Sequence, residues 1–266
     1  SEAQYKKNIM SNGKVNIKLL DTAHKSSFGK KNKTLNKNDI NQIFHWKNKK
    51  IVVFFLSFLT DANFPHGHRV NFRDSYSWID FVLESIKKID NVNWIIKEHP
   101  INKNYGAEKI NFKKKIESLC KNFDHIKTWP LNLNNVNLLN ITDVALTSSG
   151  TVGIEYSAYG IKTLFSEKSE YYHLDFMKMI KTKKEIKRIL KNIAHLKKPT
   201  KTLIEKCQIY SFIREVLMRQ KCSLLEDYSP SRSLDENAFW LISRKKVLKF
   251  NFKNDLLYKM LQKQIK

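Results

Sequence analysis

The hydrophobic pattern changes character at residue 51. Positions 1–50 are polar and rich in Lys and Asn with weak periodicity, and Gly29-Lys30-Lys31-Asn32-Lys33 reads as an exposed loop. Ile51–Phe58 is then an apolar run of β-branched and aromatic residues, the pattern of a strand buried on both faces. A loop, Thr60-Asp61-Ala62-Asn63-Phe64-Pro65-His66-Gly67-His68, follows it. Ser75 is placed to cap a helix whose Trp78, Phe81, Val82, Ser85, Ile86 and Ile89 form one stripe. Asn91–Glu98 predicts a second strand, ending at His99-Pro100.

The alternation continues with a helix over Ala107–Asn122, a strand over Ile126–Trp129, a short helix over Leu133–Leu139 and a strand over Asp143–Thr147. Ser148-Ser149-Gly150-Thr151 opens a helix that runs to Tyr159 and stops at Gly160, the residue type that best takes the left-handed C-terminal position. Lys162–Phe165 is a fifth strand. Strands alternating with helices predict an α/β fold, a Rossmann-like parallel sheet with helices on both faces and right-handed crossovers. The expected organisation is a polar segment or remnant linker over 1–50, a Rossmann-like α/β domain over 51–175, and a basic helical region over 176–266. Ligands of such sheets bind beyond the carboxyl ends of the strands. Asp61–His68, Lys97–Pro100, Thr128–Pro130, Thr147–Thr151 and Ser166–Tyr172 are therefore the segments to inspect.

Composition narrows the classes. The 266 residues carry 49 Lys and Arg against 25 Asp and Glu, a formal charge of +24, yet 12% are aromatic, which argues for a packed core. The excess is mostly Lys, spread along the whole chain among many Asn and Ile residues, as an AT-rich coding bias produces. Arg, which reads bases bidentately, is scarce, so no nucleic-acid partner is expected. A diffuse Lys surface can still hold the protein near anionic lipid. No apolar run approaches a membrane span, and the first sixteen residues lack the pattern of a secretory signal. Cys120, Cys207 and Cys222 are far apart and odd in number, which excludes a disulfide scaffold and fits a cytoplasmic protein, peripheral at most on the inner face of the membrane.

Three segments can carry chemistry. Thr147-Ser148-Ser149-Gly150-Thr151, between a strand and a helix, offers hydroxyls and amides to an anion, and equally reads as an ordinary Ser/Thr N-cap with a tight turn. It is neither a Walker A loop nor G-x-G-x-x-G. Lys97-Glu98-His99-Pro100 aims an imidazole over the sheet edge toward a phosphate or ribose, or is simply a loop histidine before a turn proline. Asp61 with His66 and His68 lacks any familiar metal-ligand spacing. Asp61 can orient a sugar or act in acid/base chemistry, or cap structure. Glu155 faces either the site or a neighbouring strand, and Tyr171, Tyr172 and His173 are packing residues or the pocket rim. No nucleophile elbow is present.

The order of these blocks is similar to a known family. Phe72-Arg73-Asp74-Ser75-Tyr76-Ser77-Trp78, Asn93-Trp94-Ile95-Ile96-Lys97-Glu98-His99-Pro100, Asp143-Val144-Ala145-Leu146-Thr147-Ser148-Ser149-Gly150-Thr151-Val152-Gly153-Ile154-Glu155 and Gly160-Ile161-Lys162-Thr163-Leu164 follow a strand and a Thr-Asp-Ala loop. Together they resemble the C-terminal, donor-binding half of the GT-B glycosyltransferases of bacterial capsule and lipopolysaccharide assembly, including Kdo transferases. The His-Pro and Ser-Ser motifs are shared with bacterial sialyltransferases and CDP-glycerol polymerases. The resemblance covers about residues 50–175. It implies transfer of a sugar from a nucleotide-activated donor, a CMP-sugar in several relatives, to an oligosaccharide or lipid-linked acceptor. It implies that His99 and Pro100, beside Lys97, contact the nucleotide phosphate or ribose. Ser148, Ser149, Gly150 and Thr151 would form the phosphate site, Glu155 would lie near the ribose, and the backbone at Thr128 and Trp129 near the base. No metal or other cofactor is expected, because protein donors neutralise the leaving group. About 50 residues precede the first strand, too few for the family's acceptor domain. The expectation is a fragment, a partner chain that completes the site, or lost acceptor chemistry, leaving a non-catalytic nucleotide-sugar-binding subunit.

Overall fold

The computed structural model describes residues 10–11, 14–15, 34–56, 70–99, 112–130 and 133–217, with 244–245, 248–249, 251, 253 and 262 beyond them. The chain divides into two compact units, Ser1–Phe212 and Ile213–Lys266. In the second, Ile213–Leu217 forms a π-helical turn in which Arg214 and Glu215 pair at 2.7 Å.

The first unit is built on a parallel sheet. Its strands are β1 (Ile51–Phe55), β2 (Asn93–Lys97), β3 (Ile126–Thr128), β4 (Val144–Thr147) and β5 (Lys162–Phe165). They lie in the order β3-β2-β1-β4-β5, and every neighbouring pair is parallel. This is the α/β, Rossmann-like sheet expected from the alternation. Val53 of the central strand is level with Ile95 on one side and Ala145 on the other. A short antiparallel pair, Met10–Ser11 with Lys14–Val15, stands apart from the sheet.

Alternate residues of β1 serve opposite layers, which is why the whole run is apolar. Val52 and Phe54 join Trp94, Ile96, Val144 and Leu146 in one core. That core is closed by α2 (Ser75–Ile86), α3 (Phe112–Asn122) and α6 (Lys183–Lys191) through Trp78, Val82, Ile116, Leu119, Ile186 and Leu190. Ile51, Val53 and Ile95 face the other way, against Ile40 of α1 (Lys37–Ile43) and Leu138 and Ile141 of α4 (Val136–Ile141). Ile154 and Ala158 of α5 (Val152–Ala158) pack with Phe165, Tyr171, Met177 and Cys207, the last on α7 (Lys201–Phe212). Among the described residues no helix is long and apolar enough to cross a membrane.

Three differences from the sequence reading have local causes. The polar stretch before β1 folds onto the sheet over 34–50. Asn36 and Asp39 form a reciprocal capping box, Lys37 pairs with Asp143 at 2.5 Å, and Asp143 also accepts the Ile51 amide at 2.9 Å. Only Leu35 and Ile40 are buried there, too few apolar residues to show as periodicity. Beyond residue 175, α6 and α7 belong to the first unit, because Ile186, Leu190 and Cys207 face its cores while their lysines stay in solvent. The cap of α2 is also a correction: Asp74, not Ser75, accepts the Ser77 amide at 2.7 Å, and Ser75 is the first helical residue.

Candidate functional site

The carboxyl edge of the sheet gathers most of the singled-out segments. β1 connects to β2 and β3 on one side, while β4 and β5 lie on the other, so the strand order reverses at β1. That reversal opens a crevice beyond the strand ends. The ladder continues past the strands: the Leu56 amide donates to the Lys97 carbonyl at 3.0 Å, and the Trp129 amide to the Ile96 carbonyl at 3.0 Å. The carbonyl of Ser148 accepts from the amides of Ser166 (3.1 Å) and Glu167 (3.0 Å), tying the end of β4 to the end of β5.

The turn Ser148-Ser149-Gly150-Thr151 leaves β4 at this edge. Ser148 is buried, Ser149 and Thr151 are half-buried, and Gly150 is exposed. The Gly150 amide donates to Thr147 Oγ1 at 3.3 Å. Thr151 stands at the N-cap with φ −55° and ψ −23°, and its side chain makes no capping hydrogen bond. The ordinary N-cap alternative is therefore not the geometry found, because a capping hydroxyl needs extended backbone to reach the amides ahead of it. Backbone bonds close the first turn instead, Gly153 to Gly150 at 3.0 Å and Ile154 to Thr151 at 3.1 Å. At the far end Gly160, at φ +77°, takes the left-handed position and Ile161 donates back to the Tyr156 carbonyl at 3.1 Å.

Tyr171 holds this turn from beneath. Its hydroxyl donates to the Gly150 carbonyl at 2.7 Å, its ring meets Phe165 edge-on at 5.0 Å, and none of it is exposed. Burial, aided by the carboxylates of Glu170 and Glu155, drives its hydroxyl far above the usual phenol range, so it stays a neutral donor. Gly153 makes the arrangement sterically feasible, since a Cβ there would lie 1.9 Å from the Tyr171 hydroxyl oxygen. Glu155 is 4% exposed, on the buried side of α5 within electrostatic reach of Tyr171. Of the two alternatives for Tyr171, packing or rim, the structure gives packing. Tyr172 is exposed and carries the Lys168 ammonium 5.5 Å above its ring.

On the opposite side of β1, Lys97 ends β2 with its ammonium 3.1 Å from the Glu98 carbonyl, and His99 follows, half-buried. Thr128 ends β3 half-buried. Trp129 is buried in the layer with Ile40 and Leu138, and its Nε1 has no partner among the described residues. Asp61, His66, His68 and Pro100 lie outside the described residues. Among the described residues there is no cluster of three His, Cys, Asp or Glu that could hold a metal ion.

Two residues of this edge are not singled out in the sequence, although Glu167 falls within the inspected segment Ser166–Tyr172. Glu167, 1% exposed, accepts the amides of Val70 (2.5 Å) and Asn71 (3.2 Å). The Asn71 side chain donates to the carbonyls of Ser166 (2.6 Å) and Ile180 (2.9 Å). Together they pin the start of the 70–74 approach to α2 against the end of β5. Nothing in the residue types reveals this, because the partners are backbone groups distant in the chain.

No protein-family model matches the sequence, and no curated protein matches it. Among solved structures the chain is similar to HepE of Anabaena, solved in complex with UDP, at 13% identity and a TM-score of 0.41, over 67% of this chain and 48% of that one. It is similar to a glycosyltransferase of Rickettsia africae at 11% identity and a TM-score of 0.44, over 85% and 52% respectively. The wall teichoic acid polymerase TagF gives 13% identity and a TM-score of 0.38, over 88% and 50%. The chain thus spans about half the length of the structures it matches.

Proposed function

We propose that this chain is the donor-binding part of a glycosyltransferase. In this reading it moves a sugar from a nucleotide-activated donor, a CMP-sugar such as CMP-Kdo, to a capsule or lipopolysaccharide acceptor at the inner face of the membrane. One observation carries the reading: Lys97–His99 and Ser148–Thr151 leave strands on either side of β1, at the edge where the strand order reverses. Two strand spacings separate them by roughly 10 Å, the span of a nucleotide's sugar and phosphates. The resemblance of these same segments to the His-Pro and Ser-Ser motifs supports it.

The roles follow from the chemistry of each group. Ser149 and Thr151, whose hydroxyls flank the exposed Gly150, would hydrogen-bond the departing phosphate, with the Lys97 ammonium adding charge. His99 would bond the ribose or phosphate, and Glu155 the ribose after a change of side-chain rotamer. Rate enhancement would come from positioning and from donors already aimed at the charge that develops on the leaving phosphate. Asp61 would orient the sugar, and no metal is required.

Thermal unfolding with CMP and CDP tests this. At 100 times Kd a ligand adds about 2.7 kcal/mol of stability, which at roughly 2–4 °C per kcal/mol raises Tm by about 5–10 °C. His99→Ala is expected to remove most of that rise, measured against the variant's own nucleotide-free Tm. Inorganic pyrophosphate at equal concentration is expected to give little, which separates a site from attraction to a charge of +24. The absence of any rise with cytidine or uridine nucleotides would overturn the proposal.

A further inference from the structure

We propose that the groove between α2 and α6 is a docking site for an acidic amphipathic helix of a partner protein. This groove lies on a helical face of the sheet, apart from the strand-end segments, with a volume of about 840 Å³. Its floor is apolar: Phe72, Phe81, Ile89 and Leu190 line it. Along one wall, Lys183, Lys187 and Lys191 of α6 are exposed and recur every fourth residue, which places their stems in a row about 6 Å apart.

The charges of this groove are unbalanced in one direction. The carboxylates on the α2 wall, Asp80 and Glu84, are both taken by Lys115, and Glu84 also by Lys87 at 2.6 Å. Among the described residues no carboxylate lies within ion-pair distance of Lys183, Lys187 or Lys191. Two of them instead rest over rings of the floor, Lys183 over Phe72 at 4.9 Å and Lys187 over Phe81 at 5.5 Å. Ammonium groups held over an apolar floor keep their charge available to a ligand that brings both carboxylates and hydrocarbon.

Shape selects among anionic ligands. The apolar groups are recessed, with Phe72, Ile89 and Leu190 buried, and the ammonium groups of Lys183 and Lys187 lie over the rings of Phe72 and Phe81. A flat bilayer cannot reach that floor, whereas a helix can insert an apolar ridge and set carboxylates against these lysines. α2 is twelve residues, about 18 Å long, and offers three turns of contact. Carboxylates at every third or fourth position of the incoming helix would meet the α6 lysines in register.

The test is fluorescence anisotropy with a labelled helical peptide. It carries Leu at i, i+3 and i+7 and Glu in a row beside them, and is read on the full chain at 150 mM salt. The expected result is saturable binding, weakened at least tenfold by the triple variant Lys183→Glu, Lys187→Glu, Lys191→Glu. The control triple variant Lys47→Glu, Lys121→Glu, Lys198→Glu, of equal net charge, is expected to weaken it less than threefold. A peptide with Gln in place of Glu is expected to bind at least tenfold more weakly. No binding by the unmodified chain, or equal losses in the two triple variants, would overturn the proposal. So would binding to phosphatidylglycerol vesicles that depends on the same three lysines while the peptide does not bind, which would assign the groove to lipid.

Discussion

Gly153→Ala is expected to cost about 3 kcal/mol of folding stability, the opposite of what helix propensity alone would give. In an exposed helix the same change stabilises by roughly 0.5–1 kcal/mol. Here the added Cβ would stand 1.9 Å from the hydroxyl oxygen of Tyr171, 2.6 Å from its Cζ and 3.1 Å from Cε2. The ring cannot swing clear, because it is fully buried and fixed among Phe165, Ile154, Met177 and Cys207. Either α5 moves away from the loop after β5 or Tyr171 is displaced. Overpacking of this kind costs about 1–3 kcal/mol, and losing the hydroxyl's bond to the Gly150 carbonyl adds about 1 kcal/mol. Urea unfolding checks the sum. Tyr171→Phe alone is expected to lose about 1 kcal/mol, the hydrogen bond without the clash. In the Gly153→Ala background it should recover only part of the loss, since the Cζ contact remains. A Gly153→Ala protein as stable as the parent would show that Tyr171 does not sit beneath this turn.

Glu167→Ala is expected to cost about 1–3 kcal/mol, because two part-buried hydrogen bonds to a charged acceptor, itself 1% exposed, are lost at once. The carboxylate receives Val70 and Asn71 from across the sheet edge, 97 and 96 positions away in the chain. Its removal loosens the approach to α2, which keeps the Asn71 side-chain bonds to Ser166 and Ile180, while leaving the strands intact. Hydrogen exchange distinguishes this from general destabilisation. The amides of Val70 and Asn71 should exchange much faster in the variant, whereas those of Val53 and Ile95, in the sheet centre, should slow or quicken only with global stability. Glu167→Gln, which keeps one acceptor oxygen, should fall between. Unchanged exchange at residues 70 and 71 would contradict the clamp.

The fold was legible where burial on both faces suppresses polar residues. Ile51–Phe55 and Asn93–Lys97 stand out because each side chain meets a helix layer, and Lys162–Phe165 is bounded by Gly160 before it. Boundaries drifted where a side chain redirects the backbone. The helix expected over Leu133–Leu139 begins at Val136, because the Asn134 side chain accepts the Val136 amide at 2.9 Å and forms a turn first. α1 stayed hidden because a single apolar residue, Ile40, enters the core from it, while polar bonds at Lys37–Asp143 and Leu35–Asn137 complete its attachment. At the candidate site the two strand-end segments were visible as hydroxyls, glycine, lysine and histidine at the ends of apolar runs. What fixes them was not. Tyr171 reads as packing or rim until its hydroxyl is seen under Gly150, and Glu167 works through backbone amides that any residue would offer. The charge of +24 resolves in the same way: lysines of α6 lie outside the core that Ile186 and Leu190 enter, so a basic stretch and a packed helix are one element.

The central claim, a nucleotide held across β1 at the carboxyl edge, is tested most directly by hydrogen exchange of the full chain with and without saturating CDP. The expected result is slowed exchange confined to Lys97–His99 and Ser149–Val152, lost in His99→Ala. Exchange unaltered at both segments, or protection confined to the α2–α6 groove, would contradict it.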